Sequence, residues 1–273
     1  MRTALLATLL AALLLSAAAA AAAGGATLRA DATRFRLTLA DRRVLHSAEL
    51  VGAELHSSDG RSRLRLDAVA AAADARGQPL WLHQLSLRDT AGAWAPLCAP
   101  HTDGTRGAIL VPGREHSDGT VADDDSRYVI ACTSAAQGKC LRAGYRPWLT
   151  GQRALFNACI RMLRADYGGD GRSHTEAGRV IDLYDVAAIQ RPEMRRGQRF
   201  EAGWSEHGAV CVRHVRVATQ ASLARLQRRY PRLRGRVGAI CTEAFARAHG
   251  ALLFNRSDRP RQRRPRRVLS SSE

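Results

Sequence analysis

RMLRADYGGDGRSHTEAGRVIDLYD, residues 161–185, is the stretch on which the reading of this chain turns. It begins on the end of a helix. Over 152–164, Leu155, Phe156, Cys159, Ile160 and Leu163 recur at three- and four-residue spacing, the apolar stripe of an amphipathic helix, with Arg153, Asn157, Arg161 and Arg164 on the other side. Gly168, Gly169 and Gly171 then break the helix, and glycine supplies the positive backbone angles needed just past a helix end. Residues 180–184 resume as a strand. Asp166 and Asp170 lie in the turn, and Asp182 and Asp185 lie beyond it.

These aspartates read first as structural. Asp166 and Asp170 can accept backbone N–H bonds in the turn, and Asp182 and Asp185 can pair with Arg161, Arg164 or Arg172. A sharper reading gathers Asp166, Asp170, Asp182 and Asp185 around calcium, the one cofactor the carboxylates suggest. An EF-hand loop starting at Asp166 fails, because Ala177 stands where glutamate is needed, so any such site is of another kind. A catalytic reading makes His174 a general acid or base, oriented by Asp170 or Asp182. No nucleophile accompanies it. Gly203-Trp204-Ser205-Glu206-His207 only half resembles the Gly-x-Ser-x-Gly elbow, and neither His-Glu-x-x-His nor Gly-x-Gly-x-x-Gly occurs.

Working outward, the cysteines come next. Cys98, Cys132, Cys140, Cys159, Cys211 and Cys241 are even in number, and no two have Cys-x-x-Cys spacing. The N-terminus has a basic start at Arg2, a leucine-rich apolar run over 4–15, and small residues up to Ala23. That is the layout of a secretory signal, with cleavage expected near Ala23 and an uncleaved anchor as the alternative. In an oxidising compartment the cysteines predict three disulfides, their pairing left open. No later stretch is apolar enough to span a bilayer.

Residues 26–100 read as mostly β. Phe35, Leu37 and Leu39 alternate with polar residues, as do Leu64, Leu66 and Ala68, and then Leu85 and Leu87. This predicts a small antiparallel sheet, either its own lobe or a layer on the main core. Residues 101–254 read as a mixed α/β part. Thr133 or Ser134 is placed to cap a first helix, with Gln137 at capping-box spacing. A hairpin is expected over 200–217, a helix capped by Thr219 over 220–230, and a final helix over 242–253. Residues 255–273 hold seven arginines against Asp258 and Glu273 and are expected to be a disordered tail.

The net charge is +17, and Lys139 is the single lysine. Part of this arginine bias is what GC-rich codon usage produces. The remainder still attracts polyanions, and the tail has two equal readings: a clamp for an anionic cell-surface polymer or lipid, or an unselected, solvated extension. Specific nucleic-acid binding is not expected, because only charge speaks for it.

Three strings are similar to the bacterial ADYC-domain family: ACTSAAQGKCLRAGYRPW at 131–148, ACIRMLRADYGGDGRSHTEAGRVIDLYD at 158–185, and FEAGWSEHGAVCV at 200–212. The resemblance spans roughly 81–241. It implies a secreted or envelope protein of a Gram-negative bacterium and one folded unit, and it implies no activity. The chain departs from the namesake motif at Gly168, where the family's cysteine is expected. If that cysteine is bonded in other members, its partner is vacated here too, and Tyr230 is a candidate for that position.

Together these readings predict an α+β fold: a signal at 1–23, an antiparallel β-rich part at 26–100, a disulfide-stapled mixed α/β part at 101–254, and a tail at 255–273. The leading expectation is an exported, non-enzymatic envelope or secreted module, periplasmic, outer-surface or released, that binds anionic surfaces. The alternative is a hydrolase using His174 with Asp170 or Asp182.

Overall fold

The structure, a computed structural model, describes residues 25–57 and 61–258. The signal segment and the tail beyond 258 lie outside the described residues. The fold is α+β: the strands form antiparallel sheets, and four α-helices accompany them among the described residues.

Strands β1 (Thr27–Asp31), β2 (Arg34–Thr38) and β3 (Val44–His46) form a three-stranded sheet in that order. The alternation read in the sequence seats Phe35 in the core, and its amide donates to Ser47 Oγ at 2.7 Å. Next come β4 (Glu54–His56), β5 (Arg63–Ala73), β6 (Pro79–Arg88), β7 (Trp94–Pro96), β8 (Ala108–Pro112), β9 (Arg114–Glu115), β10 (Val121–Ala122) and β11 (Tyr128–Cys132). One larger sheet runs β11-β8-β6-β5-β4, with β7 also on β6.

Of the two alternatives for residues 26–100, a lobe of their own or a layer on the main core, strand pairing across 100–101 favours the layer. β8 and β11 complete the sheet of β5 and β6, and the Cys98–Cys132 disulfide spans the same point. Pairing between distant strands leaves no local trace in a sequence, so the alternating segments looked separable. Phe35, Leu66, Leu85 and Leu110 form one apolar cluster across this layer.

Helices α1 (Ala136–Arg142) and α2 (Arg153–Arg164) follow. The expected capping box on α1 does not form. Ala135 takes the cap position, and the Gln137 side chain turns away to Glu115 and the Gly119 carbonyl. In α2 the predicted apolar stripe is buried as read. The supposed polar side is covered as well, with Asn157 and Arg161 both buried. The Asn157 amide pairs with the Val121 backbone in both directions, at 2.9 and 3.0 Å, so the β9–β10 hairpin lies over that face.

The last elements are β12 (Ile181–Asp185), β13 (Gln198–Ser205), β14 (Gly208–Val212), α3 (Leu223–Arg229), α4 (Glu243–Ala248) and β15 (Leu253–Asp258). The strands form an antiparallel sheet in the order β12-β15-β13-β14, against which α2 packs. Ser222, not Thr219, caps α3, its Oγ accepting the Arg225 amide at 3.3 Å.

The expected disordered tail starts too early at 255. Residues 255–258 belong to β15, an inner strand of this sheet. Its sequence, LFNRSD, reads as polar. Yet Asn255 and Ser257 are buried, and the Trp204 indole N–H donates to Asn255 Oδ1 at 2.8 Å. Satisfied side-chain hydrogen bonds make a polar strand tolerable inside.

All six cysteines pair: Cys98–Cys132, Cys140–Cys159 and Cys211–Cys241. They tie β7 to β11, α1 to α2, and β14 to the start of α4. Among the described residues, no helix is long and apolar enough to cross a membrane.

Candidate functional site

Helix α2 ends at Ala165, whose backbone is left-handed (φ 49°) and whose N–H bonds back to the Arg161 and Met162 carbonyls. A non-glycine residue enters that region at a cost of about 1–2 kcal/mol. Asp166, fully buried, holds the turn together. Its carboxylate takes the Arg161 guanidinium at 2.6 Å and the amides of Gly171 and Asp170 at 2.9 and 3.2 Å. Arg161 continues to Asp118 at 2.6 Å and to the Glu206 carbonyl at 3.0 Å. Burial opposes the charge on Asp118, but the Thr120 hydroxyl and amide together with Arg161 hold its carboxyl down to about 2.

The three glycines do not share one role. Gly169 and Gly171 have the expected positive angles, at φ 67° and 81°, and Gly168 does not. Gly168 is required for space: a Cβ there would sit 2.2 Å from Cζ of Tyr230.

The remaining aspartates also bind backbone. Asp170 accepts the Arg172 amide at 3.1 Å on one oxygen, and the Tyr230 hydroxyl at 3.1 Å and Arg229 at 3.5 Å on the other. Burial pushes its carboxyl up, and these donors outweigh it and hold it below the ordinary value. Asp182 accepts the amides of Glu193 and Met194 at 2.9 and 3.3 Å. Asp185 collects the Ala187, Ile189 and Gln190 amides and the Tyr145 hydroxyl. Neither Asp182 nor Asp185 pairs with Arg161, Arg164 or Arg172 as the sequence suggested. Each instead closes the loop after its own strand. Among the described residues, no three His, Cys, Asp or Glu side chains are grouped to hold a metal.

Sequence reasoning missed the most deeply buried polar node. Glu201 on β13 is 0% exposed, and Arg216, after β14, is 2% exposed. Arg216 donates from Nε and Nη2 to the two Glu201 oxygens, both at 3.0 Å, and reaches the Met162 and Leu163 carbonyls at 2.9 and 3.1 Å. It thereby satisfies carbonyls at the open end of α2. Asn255 and the Tyr167 hydroxyl complete the shell of Glu201 at 2.8 and 3.0 Å. Burial pushes the Glu201 carboxyl up, and the Arg216 charge and hydrogen bonds outweigh it, leaving it below the ordinary value. The available signal was a glutamate inside an otherwise apolar strand, FEAGW.

His174 stands apart from the aspartates. It is buried, its Nδ1 lies 3.1 Å from the Ala165 carbonyl oxygen, and it hydrogen-bonds to neither Asp170 nor Asp182. It forms part of the wall of a pocket of about 720 Å³ between the 172–175 segment and α3. Arg172, Arg225, Arg228 and Arg229 surround this pocket, and Leu226 and Tyr230 give it apolar surface. Arg229 is matched by Asp170. Arg172, Arg225 and Arg228 have no carboxylate partner among the described residues. Arg225, Arg228 and Arg229 lie three and four positions apart on one short helix, where like charges repel.

A model of the ADYC domain matches residues 47–218, well over half of the chain. The chain belongs to the ADYC domain family. No curated protein and no solved structure matches it.

The ADYC match starts inside the β-rich part and runs across 100–101. It includes the turn, the Glu201–Arg216 pair and one wall of the pocket, Arg172 to Thr175. It stops before α3, so the opposite wall, with Arg225, Arg228 and Tyr230, comes from sequence beyond the matched ADYC region. β15, the inner strand between β12 and β13, also lies beyond it. The contact between Gly168, at the fourth position of the ADYC motif, and Tyr230 joins these two regions.

Proposed function

We propose that this chain is an exported, non-enzymatic module that binds an anionic surface, acting in the periplasm, on the outer surface or outside the cell. The observation that carries the reading is the pocket at Arg172, Arg225 and Arg228, three guanidinium groups with no carboxylate to neutralise them among the described residues. Like charges placed together destabilise the free protein, and an anion relieves that repulsion. Export is supported by the signal-like N-terminus and by three disulfides, which persist in oxidising compartments. The arginines beyond 258 would add a diffuse attraction of the same sign.

The hydrolase alternative has less behind it. The Ala165 carbonyl, not a carboxylate, orients His174, while Asp170 and Asp182 are bonded to backbone amides. General acid–base work needs the two partners within hydrogen-bond reach.

The test is co-sedimentation of the mature chain with phosphatidylglycerol vesicles, with phosphatidylcholine vesicles as control. Each basic residue near an anionic membrane contributes about 1 kcal/mol, so the triple variant Arg172→Gln, Arg225→Gln, Arg228→Gln should partition roughly a hundredfold less. Unchanged pelleting of that variant would sink the proposal. Removing residues 259–273 in parallel separates the contribution of the tail.

A further inference from the structure

The same pocket is divided chemically, and the division says what kind of anion it takes. The arginines at its mouth, Arg172, Arg225 and Arg228, are exposed. The buried part of its lining is Leu226 and Tyr230, both largely apolar, and His174, which is 6% exposed.

The hydrogen-bonding state of His174 follows from its partner. A carbonyl oxygen only accepts, so Nδ1, 3.1 Å from the Ala165 oxygen, carries the proton. In the neutral ring Nε2 then keeps its lone pair, and it has no hydrogen-bond partner among the described residues. On a residue that lines the pocket, that lone pair can accept from a ligand hydroxyl. The neighbouring groups are complementary. Thr175 Oγ1 accepts from Arg216 at 3.4 Å, so its own proton is free to donate. Ser173 gives its proton to the Arg164 carbonyl at 3.1 Å and keeps accepting capacity. Gln220, half-buried, offers an amide with no side-chain partner.

Cations at the mouth with mixed neutral donors and acceptors and apolar surface inside do not suit a bare polyanion. They suit a ligand with a charged end and a hydroxylated body. About 720 Å³ is within the range of small-ligand pockets. Three unneutralised guanidiniums favour a phosphoryl group, whose several anionic oxygens each take a fork of N–H donors.

Resting on the anion-binding reading above, we infer that the pocket between 172–175 and α3 recognises a sugar phosphate, with the phosphate on Arg172, Arg225 and Arg228 and a ring hydroxyl donating to His174 Nε2. Such a group can be free or the head of a lipid, and the chemistry is shared.

Titration calorimetry of the mature chain at fixed ionic strength tests this, with D-glucose 6-phosphate, inorganic phosphate and D-glucose as probes. The sugar phosphate should bind at least about tenfold more tightly than either of the others, which is one good hydrogen bond's worth of discrimination. The double variant Arg225→Gln, Arg228→Gln should weaken it at least as much. His174→Phe should remove the preference over phosphate while leaving phosphate binding unchanged. Gln220→Ala, at a half-buried side chain, makes the same reading if the histidine variant fails to fold. Sugar phosphate binding no tighter than phosphate, or insensitive to the double variant, overturns the inference. If vesicle pelleting persists in that case, the surface-binding proposal stands alone. If the sugar phosphate binds and vesicles do not, only the surface proposal falls.

Discussion

Replacing Arg216 by methionine is the most direct probe of what holds the fold together. Arg216 is the sole cation paired with Glu201 among the described residues, and both are out of reach of water. Removing one member of a buried pair leaves the other charge uncompensated, at a cost of about 3–5 kcal/mol. In the same step the Leu163 carbonyl at the end of α2 loses the Arg216 donor, and the Met162 carbonyl is left with the Ala165 amide. For a domain of this size each kcal/mol moves Tm by roughly 2–4 °C, so Arg216→Met should lower Tm by roughly 6–20 °C. Urea denaturation with the disulfides intact gives the free energy directly.

The pH dependence has a definite sign. Glu201 is held below its ordinary value, so its contribution is present above about pH 4.5 and is lost as pH falls through the folded-state value. In Arg216→Met the lone buried carboxyl is pushed up instead and can neutralise itself. The deficit of the variant is therefore largest near neutral pH and smaller in acid. Glu201→Gln with Arg216→Met should be less damaging than the sum of the two single changes by more than about 0.5 kcal/mol, the limit of simple additivity. A loss under about 1 kcal/mol for Arg216→Met, or additive single changes, would refute a buried, coupled pair.

Asp118, held down to about 2 chiefly against its own burial by Thr120 and Arg161, contributes stability above its ordinary value of 3.8 and loses it as pH falls through about 2. Asp118→Asn should thus be destabilised relative to the parent at pH 6 and indistinguishable from it below pH 2, measured by urea titration at both. Gly168 faces the Tyr230 ring, so Gly168→Cys with Tyr230→Cys should form a fourth disulfide, read as a faster band on a non-reducing gel and as the absence of free thiol. Two titratable thiols in the folded double variant would show that the backbones are not in bonding register.

The sequence by itself determined much of the local structure. The spacing of Leu155, Phe156, Cys159 and Ile160 defined α2, the alternation around Phe35 and Leu66 defined strands, and an even cysteine count without Cys-x-x-Cys pointed to disulfides. Such signals are legible because side-chain periodicity and chain parity are properties of neighbours along the chain. The aspartates of the turn were legible as turn-makers for the same reason: Asp166 and Asp170 bond amides a few residues away.

What only the tertiary structure decided depends on residues far apart in sequence. β8 joining β6, β15 entering between β12 and β13, and Arg216 reaching Glu201 and the end of α2 are all long-range choices. Their energies come from burying and pairing polar groups, which a one-dimensional pattern scores as exposed. Asn255 and Arg161 were therefore taken for surface, although hydrogen-bond partners supplied by other elements let both lie inside. The pocket belongs to this second class, because it exists only where α3 folds back beside the 172–175 segment.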